Sequence, residues 1–245
     1  MSESPPPPLL RLAPTALFLD FDGTLVELAD APGAIAVPSG LKPLLDRLAE
    51  RLDGRLAIVS GRAIDDLSGH LDSCAAVLSG SHGAELRYAD GRRVPVSAPP
   101  GLAAARAEMH RFAAGSAGLL VEDKPAGVAL HYRLAPERER AVANFVADLA
   151  GRSGLVLQLG KMVAELRPAG ADKGAALRRL MAEPPFAGAR PVFVGDDLTD
   201  EHAFEAAAEL GGEGVLVGPA RSTAARWRLD DVAAVTAWLE AAARG

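Results

Sequence analysis

The stretch "ALFLDFDGTLVEL", Ala16 to Leu28, decides the fold, because an unbroken apolar run ends there in two aspartates one residue apart, Asp20 and Asp22. Leu17, Phe18 and Leu19 read as a buried strand, and Gly23-Thr24 as the turn that ends it. Both acids then fall at the carboxyl end of a strand, the edge at which open α/β sheets bind ligands. Taken alone, Asp22-Gly23 is also an ordinary turn closed by side-chain hydrogen bonds. Two acids at alternate positions on a strand edge point to one side, however, and their repulsion calls for a cation or a proton between them.

Outward from this strand, "SGLKPLLDRLAERLDG" has the apolar spacing of an amphipathic helix, with Ser39 as its cap and Gly54 ending it, and "RLAIVSGR" is the next buried strand. Helix "AIDDLSGHL", strand "AAVLSG" and a hairpin turning at Asp90-Gly91 follow. From about residue 172 the alternation resumes with helix "ADKGAALRRLMAE", strand "RPVFVGDD", helix "TDEHAFEAAAE", strand "GVLVG" and a last helix over "VAAVTAWLEAAA". Strands alternating with helices give a parallel sheet covered on both faces. Residues 101–167 break the pattern: helix, strand, strand occurs twice, as in a compact α+β module with an antiparallel sheet. The expected architecture is therefore α/β, a core over 14–100 and 168–245 interrupted by an inserted α+β cap domain at 101–167, with hinges at Pro99-Pro100 and Pro168-Ala169-Gly170.

Composition narrows the function. The 245 residues suit one large domain or a domain carrying a smaller insert. A net charge of -6 without a basic run argues against a nucleic-acid phosphate binder. Cys74 is the single cysteine, so no intramolecular disulfide forms, and it reads as a core filler in a reducing compartment. No apolar run approaches the roughly 18 residues of a membrane span, and "MSESPPPPLLRLAP" lacks the basic start of a signal peptide. Residues 1–13 read instead as a disordered proline-rich tail on a cytoplasmic protein. Of 26 cationic side chains only Lys42, Lys124, Lys161 and Lys173 are lysines, so a lysine here tends to mark a place where a compact ammonium is needed. Lys42 reads as surface.

A second acid pair, Asp196-Asp197, ends the strand "ARPVFVGDDLTDE", with Asp200 and Glu201 opening the next helix. "TDE" by itself is an ordinary helix start, capped by Thr199 or Asp200. If parallel strands bring both edges together, three or four carboxylates converge into a hard-oxygen site suited to Mg²⁺, with room for phosphate. Ser60-Gly61-Arg62 ends another strand, where a hydroxyl and backbone N–H groups can hold phosphate oxygens. Lys173 opens a helix, the end at which an ammonium is disfavoured, and so asks for an anion.

"DFDGT", a serine ending a later strand, a lysine opening a helix and then "GDD", in that order, resemble the four motifs of the haloacid dehalogenase superfamily of phosphohydrolases. Within it, "GSHGAELR", "VEDKPAGVALHYR", "GKMVAELRP", "ADKGAAL" and "VGDDLTDEHAF" resemble the bacterial trehalose-6-phosphate phosphatases over about residues 14 to 240. The resemblance implies a Rossmann-like core with the inserted cap. It implies that Asp20 attacks phosphorus to give an aspartyl-phosphate, and that Asp22 is the acid and later the base. Mg²⁺ would be held by Asp20, the Asp22 backbone carbonyl and Asp196, with Asp197 or Asp200 supporting those ligands from behind. Ser60, Gly61 and Lys173 would bind the phosphoryl group. Glu122, Lys124, His131 and Glu165 of the cap, together with Arg62, are the substrate-binding candidates; for Glu122 and Lys124 the competing reading is a salt bridge on an exposed sheet face. Arg133, His82 and Lys161 remain open. The Ala126-Gly127 turn falls where relatives vary. A sugar phosphate is the expected partner, with a functional link to a trehalose-6-phosphate synthase and neither nucleic acid nor membrane. Rival readings are a phosphatase of sucrose phosphate or mannosyl-phosphoglycerate, and a non-catalytic sugar-phosphate sensor; the latter has no need of an acid/base aspartate.

Overall fold

The computed structural model describes residues 4–28, 35–71 and 74–244. The chain enters through β1 (Thr15–Leu19), α1 (Leu41–Arg51), β2 (Leu56–Val59), α2 (Ile64–His70), β3 (Val77–Gly80), β4 (Glu85–Arg87) and β5 (Arg93–Val94). It continues through α3 (Leu102–Ala114), β6 (Leu120–Lys124), β7 (Gly127–His131), α4 (Glu139–Ser153), β8 (Val156–Gly160) and β9 (Val163–Arg167). It ends with α5 (Lys173–Met181), β10 (Arg190–Gly195), α6 (Glu201–Glu209), β11 (Glu213–Val217), β12 (Trp227–Leu229) and α7 (Val232–Arg244). Two compact units result: Met1–Val94 with Asp172–Gly245, and Pro95–Ala171. The expected cap, 101–167, lies inside the second unit, whose margins take in both expected hinge segments.

In the first unit the strand order is β12-β11-β10-β1-β2-β3-β4-β5. The pairs from β12 to β3 are parallel, and β4 and β5 add antiparallel strands. β1 is buried at every position, as a central parallel strand with two covered faces must be. Its side chains alternate: Leu17 and Leu19 pack with Leu44, Leu48 and Leu239, whereas Ala16 and Phe18 pack with Leu177, Leu180 and Phe204. Helix α1 buries Leu41, Leu44, Leu45, Leu48 and Ala49, one stripe at helical spacing.

The second unit is a four-stranded antiparallel sheet, β6-β7-β9-β8, with α3 and α4 on one face. Val128, Leu130, Ala164 and Leu166 join the core with Leu102, Met109, Val142 and Val146 of the helices. The alternate residues, among them Ala129, His131 and Glu165, therefore belong to the opposite face.

Three expectations are corrected. Ser39 does not cap α1: the cap position is Gly40, without a side-chain hydrogen bond. The turn before α6 is capped by Asp197, not by Thr199 or Asp200. The disordered tail expected over 1–13 is bound to the first unit from Pro5 onward, and residues 1–3 lie outside the described residues. The Pro5 carbonyl accepts from the Arg228 N–H at 3.0 Å, the Pro8 carbonyl accepts from Trp238 Nε1 at 2.8 Å, and Leu10 is buried. Strand β12 is a sheet edge with backbone groups to satisfy, and prolines, which cannot donate, still offer carbonyls. No helix among the described residues is long and apolar enough to cross a membrane.

Candidate active site

Register assembles the site. Leu19 pairs with Ile58 of β2 and with Val194 of β10, so Asp20, Ser60 and Asp196 all follow the carboxyl ends of three adjacent parallel strands. The chain leaves β1 for β2 on one side and returns through β10 on the other, which is where open sheets form a ligand crevice. The Asp20 N–H still donates to the Val194 carbonyl at 2.9 Å, so the alternation of β1 persists for one more residue. Asp20 thereby shares the face of Ala16 and Phe18, the face of α5, whose first residue is Lys173.

The Lys173 ammonium lies 2.7 Å from Asp20 Oδ1 and donates to Asp200 Oδ1 at 2.6 Å. Lys173, Asp20 and Asp200 are all buried. Burial alone would lower the lysine's pKa, but the two carboxylates outweigh it and hold the ammonium firmly protonated. These are the anions that its place at a helix start demands. Burial pushes the Asp20 carboxyl well above the usual carboxylate range; Lys173 opposes the rise, and Asp200 and Asp196 add to it.

Asp22 goes elsewhere. The Arg62 guanidinium donates from Nε to Asp22 Oδ2 at 2.6 Å and from Nη2 to Oδ1 at 2.7 Å, and from Nη1 to Asp66 Oδ2 at 2.6 Å. Burial would lower the Arg62 pKa, but these carboxylates raise it. Each of the two acids thus has a protein cation beside it, Lys173 for Asp20 and Arg62 for Asp22. Ser60 Oγ accepts from the Arg62 N–H at 3.2 Å, and Ser60 is buried.

Asp20, Asp196 and Asp200 each offer a carboxylate oxygen, all within 4.8 Å of one another. An all-oxygen, anionic donor set fits a hard divalent cation. Gly23, at φ 79°, leaves the space this needs, because a Cβ there would run into the Asp196 carboxylate. Asp200 is committed on both oxygens, to Lys173 and to the Asp197 N–H at 2.9 Å. The Asp197 carboxylate accepts from the Leu198 N–H at 2.7 Å.

In the second unit Lys124 and Glu165 form a buried ion pair at 2.5 Å. His131 Nε2 meets Glu122 Oε2 at 2.8 Å. Burial would raise the Glu122 pKa, but His131 and Lys124 together hold it below the ordinary value. β7 lies between β6 and β9 and presents the small residues Gly127 and Ala129 there, opposite Lys124 and Glu122 of β6, so Lys124 reaches Glu165 of β9 across it. Pro125-Ala126 is the two-residue turn that joins Lys124 to Gly127. Arg133 reaches the Lys161 carbonyl at 3.5 Å.

Sequence reasoning passed over Asp66, and it placed Glu201 at a helix start without its partners. Asp66 stands four residues after Arg62, a helical spacing that was there to be read. Glu201 accepts from Arg221, Thr223 and the Ala224 N–H, and Arg221 also donates to the Asp197 carbonyl at 2.9 Å, tying a distant loop to the second acid pair.

The trehalose-phosphatase family matches residues 18–233, from within β1 to the start of α7. The chain belongs to this family. A probable trehalose-phosphate phosphatase of Sinorhizobium fredii is 43% identical over 206 residues, covering 83% of this chain and 78% of the relative. The trehalose-6-phosphate phosphatase of Escherichia coli is 39% identical over 227 residues, covering 92% and 85%. The C-terminal domain of C. albicans trehalose-6-phosphate phosphatase has the same fold, with a TM-score of 0.83 at 24% identity over 94% of this chain and 92% of that one. This phosphatase thus has the fold of the haloacid dehalogenase superfamily.

Proposed function

We propose that this phosphatase hydrolyses trehalose 6-phosphate to trehalose and inorganic phosphate through an aspartyl-phosphate on Asp20. The observation that carries the mechanism is the buried Asp20–Lys173–Asp200 triplet at the carboxyl edge of β1. Lys173 fixes one Asp20 oxygen and so directs the other to attack. As the Asp20 oxygen bonds to phosphorus, the bond from phosphorus to the sugar oxygen breaks, and Asp22 gives that oxygen a proton. In the second step Asp22 takes a proton from the water that attacks phosphorus, which releases phosphate and restores Asp20.

Both Asp22 oxygens are engaged by Arg62, so proton transfer there requires that the guanidinium loosen its hold. A phosphoryl group supplies alternative acceptors for it. Ser60 Oγ and the backbone of Gly61 hold the remaining phosphoryl oxygens. Asp20, the Asp22 backbone carbonyl and Asp196 would hold Mg²⁺, with Asp200 and Asp197 keeping the edge in shape. When bound, Mg²⁺ would screen the phosphoryl charge from these carboxylates. Glu122, Lys124, His131 and Glu165 supply donors and acceptors for sugar hydroxyls. A synthase that makes trehalose 6-phosphate is the expected functional link, and the single cysteine suits a cytoplasmic setting. The decisive experiment is phosphate release across a panel of phosphorylated sugars, with and without Mg²⁺: trehalose 6-phosphate should lead it, and preference for another disaccharide phosphate would overturn the substrate.

A further inference from the structure

Behind the phosphate-binding loop lies a strained turn that the reaction scheme does not use. β3 ends at Gly80, and Glu85 pairs with it from β4, so Ser81–Gly83 must reverse the chain in one tight turn. Ser81 and His82 both have left-handed backbones, at φ 47° and 56°, although neither is glycine. Such backbones persist only where their surroundings over-determine them, and they gather at functional sites. The surroundings here are specific. The Ser81 N–H donates to the Arg62 carbonyl at 2.7 Å, and the His82 N–H donates to the Ser60 carbonyl at 2.9 Å. Gly61 lies directly against the His82 ring: a Cβ on it would come within 2.7 Å of Nε2. On the far side the Ser81 hydroxyl donates to Glu85 Oε1 at 2.5 Å, with both residues buried.

We infer that Glu85, through its hydrogen bond to Ser81, is a positioning residue that sets the Ser60–Arg62 loop for phosphoryl transfer. The chain of contacts is short. Glu85 fixes the Ser81 side chain, Ser81 and His82 fix the two carbonyls of the loop, and the loop carries the Ser60 hydroxyl and the guanidinium that orients Asp22. Removing the carboxylate strands a buried hydroxyl and releases the left-handed pair toward ordinary backbone, and the loop moves with it. Small displacements of aligned groups cost rate out of proportion to stability. The inference rests on the reading of Ser60 as a phosphoryl ligand and Asp22 as the proton donor.

The test compares Glu85→Ala and Glu85→Gln with Asp22→Asn on trehalose 6-phosphate, whose alkoxide leaving group needs a proton, and on p-nitrophenyl phosphate, whose leaving group does not. Inhibition by inorganic phosphate is measured alongside. Glu85→Ala should lower kcat on trehalose 6-phosphate on the order of 100-fold, lose less on the aryl ester and weaken phosphate inhibition. Glu85→Gln, whose amide oxygen accepts the same hydrogen bond, should regain most of the loss. Asp22→Asn should show the same skew between esters with phosphate inhibition retained. If Glu85→Ala does not fold, the double variant Ser81→Ala, Glu85→Ala strands no buried polar group and carries the same expectations. Equal proportional losses on both esters, wild-type rates in folded Glu85→Ala, or a Glu85→Gln as poor as Glu85→Ala would overturn the inference. An absent skew in Asp22→Asn would instead overturn the donor assignment, and Glu85 would then stand or fall on phosphate inhibition, an unchanged constant in Glu85→Ala overturning it.

Discussion

Arg62 grips both carboxylate oxygens of Asp22, at 2.6 and 2.7 Å, and the same guanidinium reaches Asp66 at 2.6 Å. A planar fork makes this pairing and an ammonium does not. Arg62→Lys keeps the charge but loses the second bond, each charge-assisted bond being worth about 1.5–3 kcal/mol. The expected outcome is a fall in kcat/KM for trehalose 6-phosphate of about 10- to 100-fold, measured by phosphate release. Asp66→Asn should cost much less, because it leaves the Asp22 contact in place. Wild-type kinetics in Arg62→Lys would show that Asp22 is oriented by something else.

Asp20→Asn should abolish turnover while the protein stays folded, since the amide keeps the shape and hydrogen-bonding capacity toward Lys173 but is no nucleophile. Enzyme quenched during turnover of ³²P-labelled substrate should carry label, and the Asn variant should carry none. Labelled Asn variant would exclude Asp20 as the site of attack.

Cation removal tests the acidic edge. Excess chelator should stop hydrolysis and added Mg²⁺ restore it, because Asp20, Asp196 and Asp200 gather three carboxylates where an anionic substrate must bind, and the Lys173 ammonium carries a single positive charge. Asp196→Asn should raise the Mg²⁺ concentration needed for half-maximal rate. Asp200 is committed to Lys173 and to the Asp197 N–H, so Asp200→Asn should lower thermal stability as well as activity. Full activity in chelator would remove the metal from the scheme.

The positions of Asp20, Ser60, Lys173 and Asp196 were legible because each ends or begins an element whose buried residues announce it. Strict alternation in β1 then fixes the face on which Asp20 meets Lys173. Side-chain partners were less legible. That Asp22 belongs to Arg62 depends on where the chain turns after Leu19, and the Lys124–Glu165 pair depends on β7 lying between β6 and β9. The Ser81–Glu85 contact was hidden because it depends on the left-handed backbones of Ser81 and His82, a conformation that neither residue type requires. β12, three residues long, is too short for a period to show, and without it nothing indicated what would hold the proline-rich start of the chain.

Acid should release the Glu122–His131 contact. The folded-state pKa of Glu122 lies below its ordinary value, so folding favours the carboxylate, and the resulting stability is present above the unfolded value of about 4.3. It is lost as pH falls through the lower, folded value. Thermal melts of wild type and Glu122→Gln should therefore differ near neutral pH, and the difference should shrink as pH falls below about 4.3 and vanish below the folded value. The difference should be modest, because the pair is partly exposed and screened. A gap that widens in acid would mean that Glu122 is protonated in the folded protein.

The last prediction separates where bonds break from where sugar is recognised. Lys124 and Glu165 are buried and paired at 2.5 Å, so truncating either alone strands the other charge and destabilises the sheet around it, by about 3–5 kcal/mol. Single alanine variants would confuse lost recognition with lost folding. Replacing both charges by near-isosteres, Lys124→Met with Glu165→Gln, removes the sugar-binding charges and leaves no unpaired ion. If these groups bind the sugar, the double variant should lose about 10- to 100-fold in kcat/KM for trehalose 6-phosphate, with a melting temperature close to wild type. Hydrolysis of p-nitrophenyl phosphate, which has no sugar, should hardly change. Glucose 6-phosphate, with one ring instead of two, should be a poor substrate of the unaltered enzyme and should distinguish the two proteins less than trehalose 6-phosphate does. Binding energy collected on the sugar also serves the chemical step, so kcat should fall together with affinity. An equal loss on the sugar phosphate and the aryl ester would mean that the pair supports the fold or the phosphoryl site, and sugar recognition would have to be sought on other residues.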